Sequence, residues 1–382
     1  MYEQSKITNN FYRSWNISDS TFEQSNFKIC NFFKNFMVKN LPCLIKNVSS
    51  NWQCSKKWAT NNNINYKYIT DNYGNLDAPV ADCGTTEYNS HSKTTMKVSE
   101  YMEYLQEPIK EQLLYLKDWH LKQLRPNDSF YEVPLYFAMD WLNEYAVDNQ
   151  EDDYMFVYMG PLGTWTPLHE DVYCSYSWSV NVVGRKKWIF LPPGEENKLK
   201  DKCGKLPLLF DDKLHNNVKY HEIIQEAGDA LFVPSGWHHQ VFNEIDTISI
   251  NHNWMNACNV KLVWKALVNA LESVEREISE FKDTPEFPAQ CQLILKSVFG
   301  MDFNNFMTLL IYIAKKRLSQ LHGDNVVNLI SNSLGLNVLI LDLRNILIVM
   351  DSICVHPMFL SENFSLQADV LNLKQEIEVH IC

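Results

Sequence analysis

Between residues 154 and 254 the chain is written in short apolar runs separated by turn residues. Residues 154–160 read as a strand, closed by the turn Gly160-Pro161-Leu162-Gly163. A strand through Thr166 to Asp171 follows, then one over 180–191 that stops at Pro192-Pro193-Gly194. Residues 195–219 are polar and lysine-rich and read as a loop. Strands resume at 220–224, 228–233, 238–243 and 247–254. Many short strands with turns between them predict an all-β barrel or double sheet.

The flanks follow a different period. Residues 27–36 read as a helix, 42–48 as a buried strand leading to Trp52 and Trp58, and 78–83 as another short strand. Residues 98–105 and the run on to Leu124 have apolar positions at roughly helical spacing, with Asn127-Asp128 and Pro134 as punctuation. Beyond Trp254, the positions Val260, Trp264, Leu267, Leu271, Val274, Ile278 and Phe281 recur every three or four residues, which predicts a long amphipathic helix. Further helices are expected over 299–318 and 326–350. The expected organisation is thus N-terminal helices and strands packing on the barrel (1–130), a barrel core (131–256) and a C-terminal helical region (257–382).

Composition narrows the class. The 382 residues are 46% hydrophobic and 13% aromatic, ample for a globular core. A formal charge of −12 disfavours direct binding to nucleic acid, whose phosphates the average surface repels. The ten cysteines contain no Cys-x-x-Cys, which argues against a zinc finger and suits buried thiols of a reducing compartment. No apolar leader is visible, and the most apolar late stretch, 337–350, is broken by Asp342 and Arg344 and is too short for a bilayer. These features point to a soluble protein of the cytoplasm, with the nucleus as a second location. Oligomeric state is not encoded in any pattern here.

Within the predicted barrel, Thr166-Pro167-Leu168-His169-Glu170-Asp171 sets an imidazole and a carboxylate two apart. On a strand both would face one way and Glu170 the other. About seventy residues on, the turn Pro234-Ser235-Gly236 precedes Trp237-His238-His239, of which strand alternation allows one imidazole to face the pair. Two imidazoles and a carboxylate make the facial triad of non-heme Fe(II) oxygenases, which leaves coordination positions open. His252 reads as a packed or surface histidine and not as a fourth ligand.

Two phrases carry a resemblance: Ser177-Trp178-Ser179-Val180-Asn181-Val182-Val183-Gly184-Arg185-Lys186-Lys187-Trp188 and Val233-Pro234-Ser235-Gly236-Trp237-His238-His239-Gln240-Val241. With the His-x-Asp pair they resemble the jumonji (JmjC) branch of the cupin-fold 2-oxoglutarate oxygenases, from about Leu41 to about Phe281. The resemblance implies a double-stranded β-helix (a cupin-like jelly roll) with flanking helices, using Fe(II), 2-oxoglutarate and O2. It assigns His169, Asp171 and His239 to iron. Lys186 becomes the cation for the distal carboxylate of 2-oxoglutarate, with Thr166 as a hydroxyl partner. Related hydroxylases often carry Asn ten residues after the first metal His, where this chain has Ser179; Asn251 is a candidate compensating amide. The implied activity is protein lysyl hydroxylation, with a translation termination factor as the protein substrate. Demethylation of N-methyl-lysine and a catalytically silent, partner-binding cupin are the alternatives.

Overall fold

The structure is a computed structural model that describes residues 20–87, 90–202, 204–323, 335–360 and 364–381. The chain forms two compact units. Met1–Tyr136, Tyr154–Asp171 and Ser177–Asn253 make the first, and Phe137–Asp153, Val172–Tyr176 and Trp254–Cys382 the second.

The strands, in chain order, are β1 (Thr21–Glu23), β2 (Cys43–Lys46), β3 (Ala59–Thr60), β4 (Asn63–Ile64), β5 (Asp77–Glu87), β6 (Ser90–Lys97), β7 (Leu114–Trp119), β8 (Met155–Gly160), β9 (Trp165–His169), β10 (Tyr176–Val183), β11 (Lys186–Leu191), β12 (His221–Gln225), β13 (Ala230–Val233), β14 (His238–Asn243) and β15 (Thr247–Trp254). Nine form a sheet ordered β1-β2-β13-β10-β15-β8-β7-β5-β6, and four form a second, β12-β11-β14-β9. Strands β3 and β4 pair with each other. The two larger sheets face one another, since Lys186 on β11 reaches Ser249 on β15. This is the double sheet of a cupin-like barrel.

Register decides which side chains enter the barrel. Residues directly opposed on antiparallel strands share a face. Phe190 opposes His239, Trp188 opposes Val241, and Lys186 opposes Asn243, so these six form one inward row. The outward row of the same sheet, with Leu168, Ile189 and Leu191, packs against Leu199, Phe210 and Val218 of the lysine-rich loop. That loop is fastened by the backbone N–H of Phe210 donating to Gln240 Oε1 at 2.9 Å and that of Leu168 donating to Leu208 O at 2.8 Å. A loop that looks polar in sequence is therefore the apolar cover of the smaller sheet.

Several expectations need correction. The strand expected over 180–191 is two strands in different sheets, because the chain turns a corner at Gly184. Gly184 has φ +88, and a Cβ there would stand 2.2 Å from Asp246 O, so a side chain is excluded. The run toward Leu124 was expected to be helical. It contains strand β7, paired to both β5 and β8, and only Leu121–Leu124 is helix. Sheet pairing overrides a weak helical period there. β9 ends at His169, so Asp171 lies beyond the strand that was expected to carry it. Strand β6 and the helices Trp141–Asp148, Phe287–Phe299 and Gln367–Ile381 were not anticipated.

The helical unit contains Val260–Glu277, whose buried positions Val260, Val263, Trp264, Leu267, Leu271 and Val274 keep the expected spacing. The helix expected from 299 starts at Phe303, because Gly300 at φ +94 terminates the preceding helix. The helix expected over 326–350 is Leu336–Cys354; residues 326–334 of the expected span lie outside the described residues. Cys203 and Cys382 also lie outside them, and the other eight cysteines are free thiols. They are not all buried: Cys30 is exposed, and Cys174, Cys258 and Cys354 are half-buried. No helix among the described residues is long and apolar enough to cross a membrane.

A buried ion cluster organises this unit. Arg317, 1% exposed, donates to Glu144 at 2.6 and 2.9 Å and to Asp342 at 2.7 Å, and Trp141 Nε1 donates to the same Asp342 carboxylate. Burial pushes the Glu144 carboxyl up, but Arg317 and Lys316 more than offset this and hold it below its ordinary range. Removing Arg317 leaves the buried Asp342 carboxylate without a counter-ion and Glu144 with Lys316 alone. Arg317→Met is therefore expected to destabilise the chain by about 3–5 kcal/mol, read as a lowered urea midpoint. A midpoint equal to that of the parent would contradict this.

Candidate metal centre

Six strands (β8, β9, β10, β11, β14 and β15) and the loop after β9 build the site. β9 and β14 pair with His239 opposite His169 and Val241 opposite Thr166. One residue of β14, Gln240, thus faces two of β9, Pro167 and Leu168, which is a β-bulge. In a regular strand, residues three apart point to opposite faces. The bulge removes that difference and puts Thr166 and His169 on the same inward face. Proline suits the bulge because it has no N–H to leave unpaired. Leu168 turns outward into the apolar cover.

The bulge also fixes a tautomer. His169 Nδ1 lies 2.7 Å from Pro167 O, and His239 Nδ1 lies 2.9 Å from Trp237 O. A ring nitrogen that donates to a carbonyl leaves Nε2 as a lone pair, the form that binds a metal. Burial and the neighbouring His239 push His169 down to about 4, so it stays neutral at physiological pH. The two rings are 4.4 Å apart between centroids. Asp171 joins them from just past the strand, and one ligand atom from each of His169, Asp171 and His239 lies within 4.8 Å of the others. The Asp171 carboxylate is oriented from two sides. Ser177 Oγ donates to Oδ2 at 2.7 Å, and Asn253 Nδ2 donates to Oδ1 at 3.0 Å. A hard-to-borderline donor set on one small volume, held by outer hydrogen bonds, fits a divalent first-row metal.

His238 is turned to the other face of β14, and burial pushes it down to about 3. Glu170 is exposed. His252 is buried, stacked on Trp178 at 4.0 Å and hydrogen-bonded through Nε2 to the Tyr131 hydroxyl at 2.8 Å, so it is a packed histidine.

Deeper in the barrel, Lys186 is 2% exposed. Its ammonium donates to Ser249 Oγ at 2.6 Å and lies 5.8 Å from the Tyr158 ring centre. Asn251 Nδ2 donates to the same Ser249 Oγ at 3.0 Å. Among the described residues no carboxylate pairs with Lys186, and burial pushes its ammonium down to about 7. The hydroxyls of Thr166 and Ser179 are buried without a hydrogen-bond partner. An unpaired cation and two unused hydroxyls on the inner wall fit a small dianion lying between Lys186 and the His/Asp cluster. Lys187, by contrast, faces out toward Glu222 at 3.8 Å.

Residues 30–259 match the cupin-like domain family. The 2-oxoglutarate and iron-dependent oxygenase JMJD4 of Danio rerio is 44% identical over 79% of this chain and 78% of its own. The Homo sapiens JMJD4 is 40% identical over 88% and 85%. The arginine-specific demethylase JMJ20 of Arabidopsis thaliana is 38% identical over 84% and 76%. The chain belongs to the JmjC branch of the cupin-like oxygenases.

Four residues of this JmjC centre escaped the sequence reading: Ser177 and Asn253, which orient Asp171, and Tyr158 and Ser249, which surround Lys186. Polar residues on alternate positions of β15 (Ser249, Asn251, Asn253) were the available signal. A strand with one polar face inside a barrel marks the wall of a cavity.

Purified protein loaded with iron or manganese should hold about one metal per chain in His238→Ala and far less in His239→Ala, measured by elemental analysis. The reverse pattern would shift the inward face of β14 by one residue.

Proposed function

We propose that this chain is an Fe(II)- and 2-oxoglutarate-dependent oxygenase that hydroxylates a lysine side chain of a protein, with a translation termination factor as substrate. The observation that carries the oxygenase reading is the pairing of a His169/Asp171/His239 cluster with an unpaired, buried Lys186 ammonium in one barrel. A partner-binding cupin has no use for both.

His169, Asp171 and His239 would hold the metal, and Lys186 with Thr166 would take the distal carboxylate, with Ser179 and Asn251 along the wall between. When bound, iron supplies the redox chemistry, in which 2-oxoglutarate and O2 give succinate and CO2 as a substrate C–H becomes C–OH. The protein's part is to orient and to exclude water. The carbonyls of Pro167 and Trp237 hold both imidazoles with Nε2 available. Ser177 and Asn253 keep the Asp171 carboxylate turned to them. The stacked Phe190 and Trp188 rings flank His239 and keep that side dry.

The lysyl hydroxylase reading is supported by the identity to JMJD4 proteins across most of the chain and by the phrases at Ser177–Trp188 and Trp237–Val241. The Arabidopsis relative's name favours a second reading, removal of N-methyl groups, which begins with the same C–H oxidation. Cytoplasmic location is part of the first reading, since translation termination takes place there.

Two outcomes check these readings. Lys186→Ala should raise the 2-oxoglutarate requirement about tenfold to a hundredfold with metal binding retained, because a charge-assisted hydrogen bond in a buried site is worth roughly 1.5–3 kcal/mol. An unchanged 2-oxoglutarate titration would remove Lys186 from the site. Incubation of the enzyme with recombinant termination factor, iron, ascorbate and 2-oxoglutarate should add about 16 mass units to a lysine peptide, the mass of one oxygen atom. Loss of about 14 units from a methylated peptide beside an unmodified termination factor would select the demethylase reading instead.

A further inference from the structure

Beside Lys186, a phenol is tied to the carboxylate of a residue in left-handed backbone. Tyr158 stands directly opposite Ser249 across β8 and β15, and its ring lies 5.8 Å from Lys186 Nζ. The Tyr158 hydroxyl donates to Asp118 Oδ1 at 2.5 Å. Asp118 sits on β7 where pairing with β8 slips between Leu116 and Trp119, and its φ is +57. Left-handed backbone is costly for a residue with a side chain, though Asp tolerates it better than most. The slip turns the Asp118 carboxylate so that its second oxygen takes Lys93 Nζ at 2.5 Å. Burial pushes the Asp118 carboxyl up, but Lys117 and Lys93 more than offset this and hold it below its ordinary range. Burial pushes the Tyr158 phenol well up. The contact therefore joins a protonated phenol to an ionised carboxylate, the stronger kind of hydrogen bond.

β7 and β8 are paired on both sides of the slip, so their pairing does not run through the Tyr158 hydroxyl. The arrangement does matter to Lys186. A lysine has four rotatable methylenes, and its ammonium occupies one place only if the walls around it are fixed. Ser249 supplies one wall by a hydrogen bond, and the Tyr158 ring supplies another.

We propose that Asp118 is a positioning residue for the co-substrate: through the Tyr158 hydroxyl it fixes the ring that walls in Lys186, and so fixes where the distal carboxylate of 2-oxoglutarate binds. The proposal rests on the oxygenase reading above and concerns residues that do not touch the metal cluster.

The test is anaerobic calorimetric titration of the Mn(II)-loaded full chain with 2-oxoglutarate, in parent, Tyr158→Phe, Asp118→Ala and Asp118→Asn proteins. Tyr158→Phe and Asp118→Ala should bind 2-oxoglutarate about tenfold more weakly, with Mn(II) affinity unchanged. Asp118→Asn keeps an acceptor oxygen and tolerates the same φ, so it should recover most of the affinity. In turnover, the loss should appear in KM for 2-oxoglutarate and not in kcat. Parent-like affinity in Tyr158→Phe would overturn the proposal, and this variant carries the test if Asp118→Ala does not fold. A parent protein that binds Mn(II) but no 2-oxoglutarate would overturn the oxygenase reading itself, and this proposal with it.

Discussion

The pairing of β9 with β14 is the constraint on which the site depends. One extra residue in β9 aligns Thr166 and His169 on a single inward face, opposite Val241 and His239. Without the bulge, either the histidine or the threonine would point into the apolar cover made by Leu199, Phe210 and Val218. The same two residues of the bulge do further work. Pro167 presents its carbonyl to His169 Nδ1, and Leu168 anchors the covering loop through both its side chain and its N–H. The inward placement of His169, its tautomer and the anchoring of the covering loop are thus consequences of one local irregularity.

The second constraint is electrostatic. A buried ammonium without a counter-ion is unfavourable by several kcal/mol or more, which is why burial pushes Lys186 toward neutrality. The barrel offsets part of this with Ser249 Oγ and the face of Tyr158. A bound dianion would supply the missing counter-charge. The helical unit handles its buried charge differently: Arg317 meets Glu144 and Asp342 directly and needs no ligand.

Much of the site could be read from the chain because its chemistry is local. His169 and Asp171 are two apart, His239 follows a Pro-Ser-Gly turn, and Lys186 sits in an otherwise apolar strand. The barrel was also readable, since turn residues punctuate its strands. What could not be read is what depends on partners distant in sequence. Ser249 meets Lys186 across 63 residues, and Asn253 meets Asp171 across 82. No local period encodes either contact. The reading of β7 as helix failed for the same reason: its partners β5 and β8 decide its conformation. Gly184 was visible as a residue, but the close approach of Asp246 O that makes it a corner was not.

The central claim is that the bulged β9–β14 pair presents Nε2 of His169 and of His239, with the Asp171 carboxylate, to one metal whose co-substrate reaches inward to Lys186. The most direct measurement is a crystal structure of the protein with Mn(II) and 2-oxoglutarate, the metal located by anomalous scattering. The account predicts manganese bonded to His169 Nε2, His239 Nε2 and an Asp171 oxygen, with the distal carboxylate on Lys186 Nζ. Manganese bound through His238, or a distal carboxylate lying away from Lys186, would contradict it.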